Sequence, residues 1–206
     1  MSPDGGLPRL GADRAPDLPR TTRVLGYGTL LSRASLGRTV GEHAVDWTTI
    51  PVVVEGWRRL FDFRPEHYEP SFRLKDEPVE AAALNIEPAP GSRFNGLVIE
   101  VSDRGLEALD SREAGYRRVR VPVLSWPDGE PAGEALAYAV PRDDPRVCTD
   151  PARLLPRWLD VELSRAGAYE VGRAFGALFD QTTYLADGET LLADAWAAHL
   201  PDPRGD

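Results

Sequence analysis

The chain has 206 residues, enough for one substantial hydrophobic core and short for two. It carries 33 acidic and 24 basic residues, and a net charge of −9 argues against nucleic acid or an anionic membrane surface as a partner. A hydrophobic share of 42% with five Trp and six Phe fits a folded protein, yet no apolar run approaches the roughly 18 residues of a membrane span. Nothing at the N-terminus looks like the apolar core of a secretory signal. Cys148 is the single cysteine, so an internal disulfide and four-cysteine zinc sites are excluded and a cytoplasmic location is expected. His43, His67 and His199 lack ligand-like spacing, so a histidine-based metal site is not expected; no cofactor is expected either.

Residues 1–21 mix Pro, Gly and Asp with few apolar groups and are expected to form a disordered tail. A single domain is expected over 22–200, strand-rich over 22–141 and helical over 150–200, with a flexible C-terminus at 201–206. Strands are predicted over 23–29, 48–55, 58–63, 81–86, 94–101, 117–125 and 134–140, several of them nearly continuous apolar runs. The polar, aromatic stretch 64–78 suits a long loop over a site. Residues 88–96, PAPGSRFNG, read as turn chemistry before a strand. Residues 126–133, WPDGEPAG, read as a hairpin connection with Asp-Gly at its centre. Ser102 can cap a short helix whose apolar residues are Leu106 and Leu109, with Gly115 as its stop.

Later in the chain, Asp150-Pro151 reads as a cap followed by proline at the first helical position. Helical spacing then joins Leu154, Trp158 and Val161. Two further helices are predicted over 169–183 and 187–200, from Val171, Phe175, Leu178 and Phe179 and from Leu191, Leu192, Ala195 and Trp196. Strands bunched before helices give an α+β class: a mixed β-barrel or strongly curled sheet with helices packed outside, not a regularly alternating α/β fold.

Two segments carry chemistry. VLGYGTLL (24–31) is a strand entering a glycine turn, whose backbone amides can hold an anion or a carbonyl oxygen. Gly26-x-Gly28 fails as a dinucleotide fingerprint because its third glycine position is Leu31 and no suitable acidic residue follows. The ordinary alternative is a tight turn in which glycine supplies positive φ. In GLEALDSREAGYRRVRV (105–121), Asp110 and Glu113 fall near a helix C-terminus, where the helix dipole and burial would both raise a carboxyl pKa. Glu113 is therefore a candidate general base; the alternative is a solvated ion pair with Arg112 or Arg117. Three residues apart on one helix, Asp110 and Glu113 cannot flank a glycosidic bond.

Taken in order, Tyr27-Gly28-Thr29-Leu30, Val54-Glu55-Gly56-Trp57, Gly96 with Glu100-Val101, and Leu109-Asp110 with Glu113 and Tyr116 are similar to the motifs of the γ-glutamylcyclotransferase-like proteins. That family includes the glutathione-degrading ChaC branch and the plant AIG2-like branch. The resemblance spans about 24–140, with Thr29 where Ser or Asn is usual. It implies a γ-glutamylcyclotransferase-like fold and a small-molecule γ-glutamyl substrate. It also implies metal-independent cleavage of the γ-glutamyl amide by the substrate's own α-amine, giving 5-oxoproline and an amine or amino acid. Glu113 would then be catalytic, and Tyr27, Gly28, Thr29, Leu30 and Tyr116 would bind substrate. Alternatives are a catalytically silent small-molecule binder of the same fold, and a biosynthetic enzyme that removes a γ-glutamyl protecting group from an amine.

Overall fold

The computed structural model describes residues 21–41, 45–66, 72–74 and 77–195. The expected tails at 1–20 and 201–206 lie outside the described residues, as do His43, His67, Trp196 and His199. Thr21, counted above with the tail, is the first residue of strand β1.

Five strands form a closed ring of hydrogen bonds. β1 (Thr21–Gly26) lies between β4 (Glu77–Ser102), antiparallel to it, and β6 (Pro131–Ala139), parallel to it. β6 continues to β5 (Arg117–Ser125), β5 to β2 (Val45–Phe63), and β2 returns to β4. The expected choice between barrel and curled sheet is thus met by a strongly curled sheet whose pairings close on themselves. Three short strands extend it: β3 (Phe72–Leu74) and β7 (Leu154–Pro156) on β4, and β8 (Thr183–Leu185) on β2.

β2 and β4 are each longer than expected, because the breaks read at Gly56 and at 88–96 are bulges within continuous strands. The register steps from Glu55↔Arg93 to Trp57↔Pro88, and Gly56 takes φ 76°, a conformation that favours glycine. The turn chemistry of 88–96 is spent on this excursion, with Gly91 at φ 83°. The 126–133 hairpin forms as read, with Gly129 at φ 73° and its amide donating to Ser125 O at 2.8 Å. Within 64–78, β3 pairs antiparallel with β4 through Arg73↔Pro78 and Leu74↔Glu77, so part of the expected loop is strand.

α2 (Asp103–Arg112) starts where Ser102 places it, its Oγ accepting from the Gly105 amide at 3.3 Å. It ends at Glu113, two residues before the expected Gly115 stop. α1 (Arg33–Val40), capped by Ser32, was not expected. α3 (Trp158–Val171) begins eight residues after Asp150, because Leu154–Pro156 pairs with β4 instead. Asp150 Oδ1 accepts from the Ala152 amide at 2.9 Å, a local turn with the same signature as a cap. The helix expected over 169–183 is divided at Gly172 (φ 151°) into the end of α3 and α4 (Arg173–Gln181), and α5 is short (Leu192–Ala195). No helix among the described residues is long and apolar enough to cross a membrane.

Three apolar clusters locate these parts. The ring interior is filled by Leu25, Val52, Phe61, Ile86, Phe94 and their neighbours. Leu30, Leu36, Ile99 and Leu109 join α1 and α2 to the sheet, while Leu31, Leu97, Phe175 and Phe179 join the α3–α4 pair to it. Contact between α3 and residues 29–31 is at backbone level: a Cβ on Gly167 would lie 2.5 Å from Leu31 O and 2.7 Å from Ser32 N.

Two charged groups are buried in β2. Arg59, fully buried, donates to Tyr27 O (3.1 Å), Asn95 O (2.8 Å), Asn95 Oδ1 (3.1 Å), Phe179 O (3.3 Å), Thr182 Oγ1 (3.3 Å) and Thr183 Oγ1 (3.0 Å). Its guanidinium lies 4.0 Å from the Phe179 ring centroid. Burial lowers its pKa to about 9, which leaves it cationic at neutral pH. Replacing Arg59 by Met strands several carbonyls in the interior and should cost about 3 kcal/mol or more in urea unfolding; a loss under about 1 kcal/mol would show that these bonds contribute little net stability.

Asp62 is 1% exposed, and its Oδ1 has no hydrogen-bond partner among the described residues. Burial raises its carboxyl pKa to about 7, against the opposing pull of the Asn85 amide and with a further push from Glu87. The folded state then keeps a proton that the unfolded chain has lost above its ordinary 3.8. Stability attributable to this group is full below that value and falls as pH rises towards about 7. Asp62→Asn should therefore stabilise the protein more at pH 8 than at pH 5, compared by urea unfolding at both; an equal effect at the two pH values contradicts the assignment.

Candidate functional site

β1 delivers its last residues to a crowded crossing. A Cβ on Gly96 would fall 2.8 Å from Gly26 O, and one on Gly26 would fall 2.9 Å from Leu30 Cβ. Gly28 has φ −124° and ψ −130°, and a Cβ there would meet Leu84 Cδ2 at 3.3 Å. The glycines of this segment thus serve close approach, and the positive-φ turn considered from the sequence is not what forms. Gly28 instead leads into a single 3-10 turn, Thr29–Leu31, with the Leu31 amide donating to Gly28 O at 2.8 Å. The amides of Gly28, Thr29 and Leu30 have no acceptor among the described residues, as expected at the start of a helical turn. Leu30 turns its side chain into the α1–α2 cluster, so its backbone is the part left for a ligand.

The end of α2 reaches the same place. Arg112 Nη2 donates to Thr29 Oγ1 at 2.6 Å and Arg112 Nη1 to Thr39 Oγ1 at 2.6 Å, while its Nε lies 3.0 Å from Glu113 Oε1. One guanidinium therefore touches both the 3-10 turn and the carboxylate. The ion pair with Arg112, weighed from the sequence as the ordinary alternative for Glu113, does form. It is not a solvated one: Glu113 keeps 16% of its side chain exposed, and that side chain borders a cavity. Burial raises the Glu113 pKa; Arg112 opposes the rise and Asp160 adds to it.

Asp110 differs from the sequence reading. It faces outward in an ion pair with Arg118, accepts from Tyr138 Oη at 2.8 Å, and has its pKa lowered, chiefly by Arg118. Its work is to tie α2 to β5 and β6.

The cavity, about 360 Å³, is bordered by Tyr27, Gly28, Thr29, Leu30, Glu113 and Tyr116, so all six candidate site residues meet there. Tyr27 is buried, and its hydroxyl donates to Tyr138 O. Burial, and secondarily Glu113, raises its pKa well above the usual tyrosine value. Tyr116 Oη donates to Leu84 O at 2.9 Å, and its ring packs edge-on to Phe63 at 4.8 Å. Tyr138, read as core, is buried but also borders the cavity.

Of the other bordering residues, Pro65 and Glu66 belong to the 64–78 stretch expected over a site, while Phe63, Arg146, Asp160 and Ser164 were not singled out from the sequence. Phe63, Pro65, Glu66 and Arg146 form one side, with Arg146 Nη2 donating to Gly115 O at 3.1 Å. Asp160 and Ser164 arrive on α3. Their signal was a pair of polar residues at i, i+4 in a mainly apolar helix. A bend whose amides have no acceptor among the described residues, with a guanidinium and a sheltered carboxylate, can hold an anionic, carbonyl-bearing ligand while moving a proton on it.

Comparison with known proteins bears on the family and the fold. A family profile described as gamma-glutamyl cyclotransferase, AIG2-like, matches residues 24–158. No curated protein sequence matches the chain. Among solved structures, an uncharacterized protein from Homo sapiens superposes with a TM-score of 0.60 at 15% identity, covering 79% of this chain and 88% of that one. A structure described as gamma-glutamyl cyclotransferase gives 0.58 at 15% identity over the same shares. YkqA from Bacillus subtilis gives 0.55 at 16% identity, over 77% of this chain and 52% of YkqA. At these identities the superpositions establish the fold, and the profile takes in more than half the sequence: the chain belongs to the AIG2-like gamma-glutamyl cyclotransferase family.

Proposed function

We propose that this protein cleaves a γ-glutamyl amide by intramolecular attack, releasing 5-oxoproline and a free amine or amino acid. The observation that carries this reading is the Arg112 guanidinium, which bonds Thr29 of the amide-lined turn and Glu113 at once. It ties a candidate anion cradle to a candidate base.

The substrate's α-nitrogen attacks its own γ-carbonyl carbon and closes a five-membered ring as the old C–N bond breaks. Holding a flexible glutamyl chain in that pose can supply up to about 7–11 kcal/mol of the barrier. The α-nitrogen enters as an ammonium with three protons and leaves as a ring N–H with one. Glu113 takes these protons in turn; one goes to the departing nitrogen, and the second ends on the released amine as it becomes ammonium. The amides of 28–30, with Arg112 beside them, receive the α-carboxylate or the developing γ-oxyanion. Tyr27 and Tyr116 give the pocket its ring walls. The leaving group lies towards Phe63, Pro65, Glu66 and Arg146.

Incubating the protein with γ-glutamyl amino acids, γ-glutamyl amines and glutathione, and following 5-oxoproline, should identify turnover of at least one member. Glu113→Gln should lower kcat about 10²–10⁴-fold while the protein stays folded and still binds. Release by no member, or an unaffected Glu113→Gln variant, overturns the reading. Turnover confined to γ-glutamyl amines would favour the biosynthetic deprotecting role.

Because a general base acts when deprotonated, kcat/KM should fall as pH drops through the raised Glu113 pKa. Arg112→Met removes the cation that opposes this rise, so the acid limb should move to higher pH. A limb that stays put or moves lower contradicts the assignment of Glu113 as base.

A further inference from the structure

The α3 wall of the cavity has no part in the mechanism above. Asp160 and Ser164 stand one helical turn apart there and are 5% and 1% exposed. Ser164 Oγ has no hydrogen-bond partner among the described residues, although buried hydroxyls ordinarily find one. It lies 4.0 Å from where a Cβ on Gly28 would sit, beside the unpaired amides of 28–30. Asp160 Oδ1 accepts from Arg157 Nη2 at 2.6 Å, which fixes its position on the first turn of α3. Asp160 and Glu113 both border the one cavity, so two carboxylates share a small space. Only one carboxylate is needed as a base. Glu113 is paired with Arg112 and Asp160 with Arg157, yet each carboxylate has a second oxygen that can accept from an ammonium, and the Ser164 hydroxyl beside the 28–30 amides adds a donor for an anion.

We propose that Asp160 and Ser164 read the free amino-acid head of the substrate: Asp160 holds the α-ammonium while Glu113 works on it, and Ser164 donates its hydroxyl to the α-carboxylate at the 28–30 amides. The assignment rests on the cyclotransferase reading and adds a specificity to it. Ring closure already requires the free α-amine; the assignment adds that binding needs an unblocked carboxylate on the same carbon. The pair acts together because a single helical turn spans both charges of that head, and the backbone contact of Gly167 with Leu31 holds α3 against the cradle.

The test uses the full chain with Glu113→Gln, so that no ligand is consumed, and calorimetric titration of three ligands sharing one amine. These are the γ-glutamyl amide, the glutaric monoamide lacking the α-amine, and the 4-aminobutanoic amide lacking the α-carboxylate. Adding Asp160→Asn should weaken the first and third about tenfold or more and leave the second unchanged. Adding Ser164→Ala should weaken the first and second several-fold and leave the third unchanged. In the otherwise wild-type chain, Ser164→Ala should raise KM with kcat within about threefold. Equal weakening of all three ligands marks a merely structural role and overturns the proposal, as does no weakening at all. If the unmodified protein releases 5-oxoproline yet the pattern is absent, this proposal alone falls; if it releases none, the cyclotransferase reading falls and takes this one with it.

Discussion

A fully buried cation that is satisfied by neutral acceptors underlies the placement of the cavity. Arg59 leaves the middle of β2 and bonds the carbonyl of Tyr27, the backbone and side chain of Asn95 on β4, and the end of α4 with the start of β8. Removing a guanidinium from water is costly unless its N–H groups are met, and here they are met by atoms the fold must hold in place anyway. Phe179 O belongs to the last turn of α4, where the helix dipole is negative, which adds to the attraction. Asn95 passes the restraint on through its own bond to Phe175 O at 2.7 Å.

The consequence for chemistry is a division of labour between two arginines. Arg59 fixes the entry to the Gly28 turn from the core side, through Tyr27 O. Arg112 holds the same turn from the outside through Thr29 Oγ1, and its remaining reach goes to Glu113 and α1. The hydroxyl of Thr29 therefore belongs to the scaffold, and a threonine fills that role as a serine would. Gly167 supplies a third restraint by admitting α3 to van der Waals contact with the turn's backbone. Preorganisation of this kind suits a reaction in which nucleophile and electrophile arrive in one molecule and need only be posed.

What the sequence made legible was local. The Ser102 cap, the Asp-Gly hairpin and the apolar runs of β1, β5 and β6 each depend on neighbours within a few residues, and each appears close to where it was read. Gly56 and the Pro88–Gly96 region were misread because a bulge and a turn draw on the same residues. Only the β2–β4 register tells them apart. Asp150-Pro151 carried a sound local signal, but pairing of Leu154–Pro156 with β4 overrode it. The six candidate site residues come to one cavity, while Asp110, attractive on the same grounds as Glu113, is drawn outward by Arg118. Arg118 sits eight positions away on another element, and no spacing rule connects the two. Asp160 and Ser164 carried only a faint helical signal, and what makes them notable is the Gly28 turn more than a hundred residues upstream.

The long reach of Arg59 also bears on biogenesis. Its bonds to Phe179, Thr182 and Thr183 span 120 to 124 positions, and β1 cannot be flanked on both sides until β6 exists, with Val24 opposite Leu136. Closure of such distant pairs is entropically slow. A ribosome thus releases the amide-lined bend early and α3 and α4 late, and a chain halted before α4 would lack three of the six acceptors that Arg59 bonds in the folded protein.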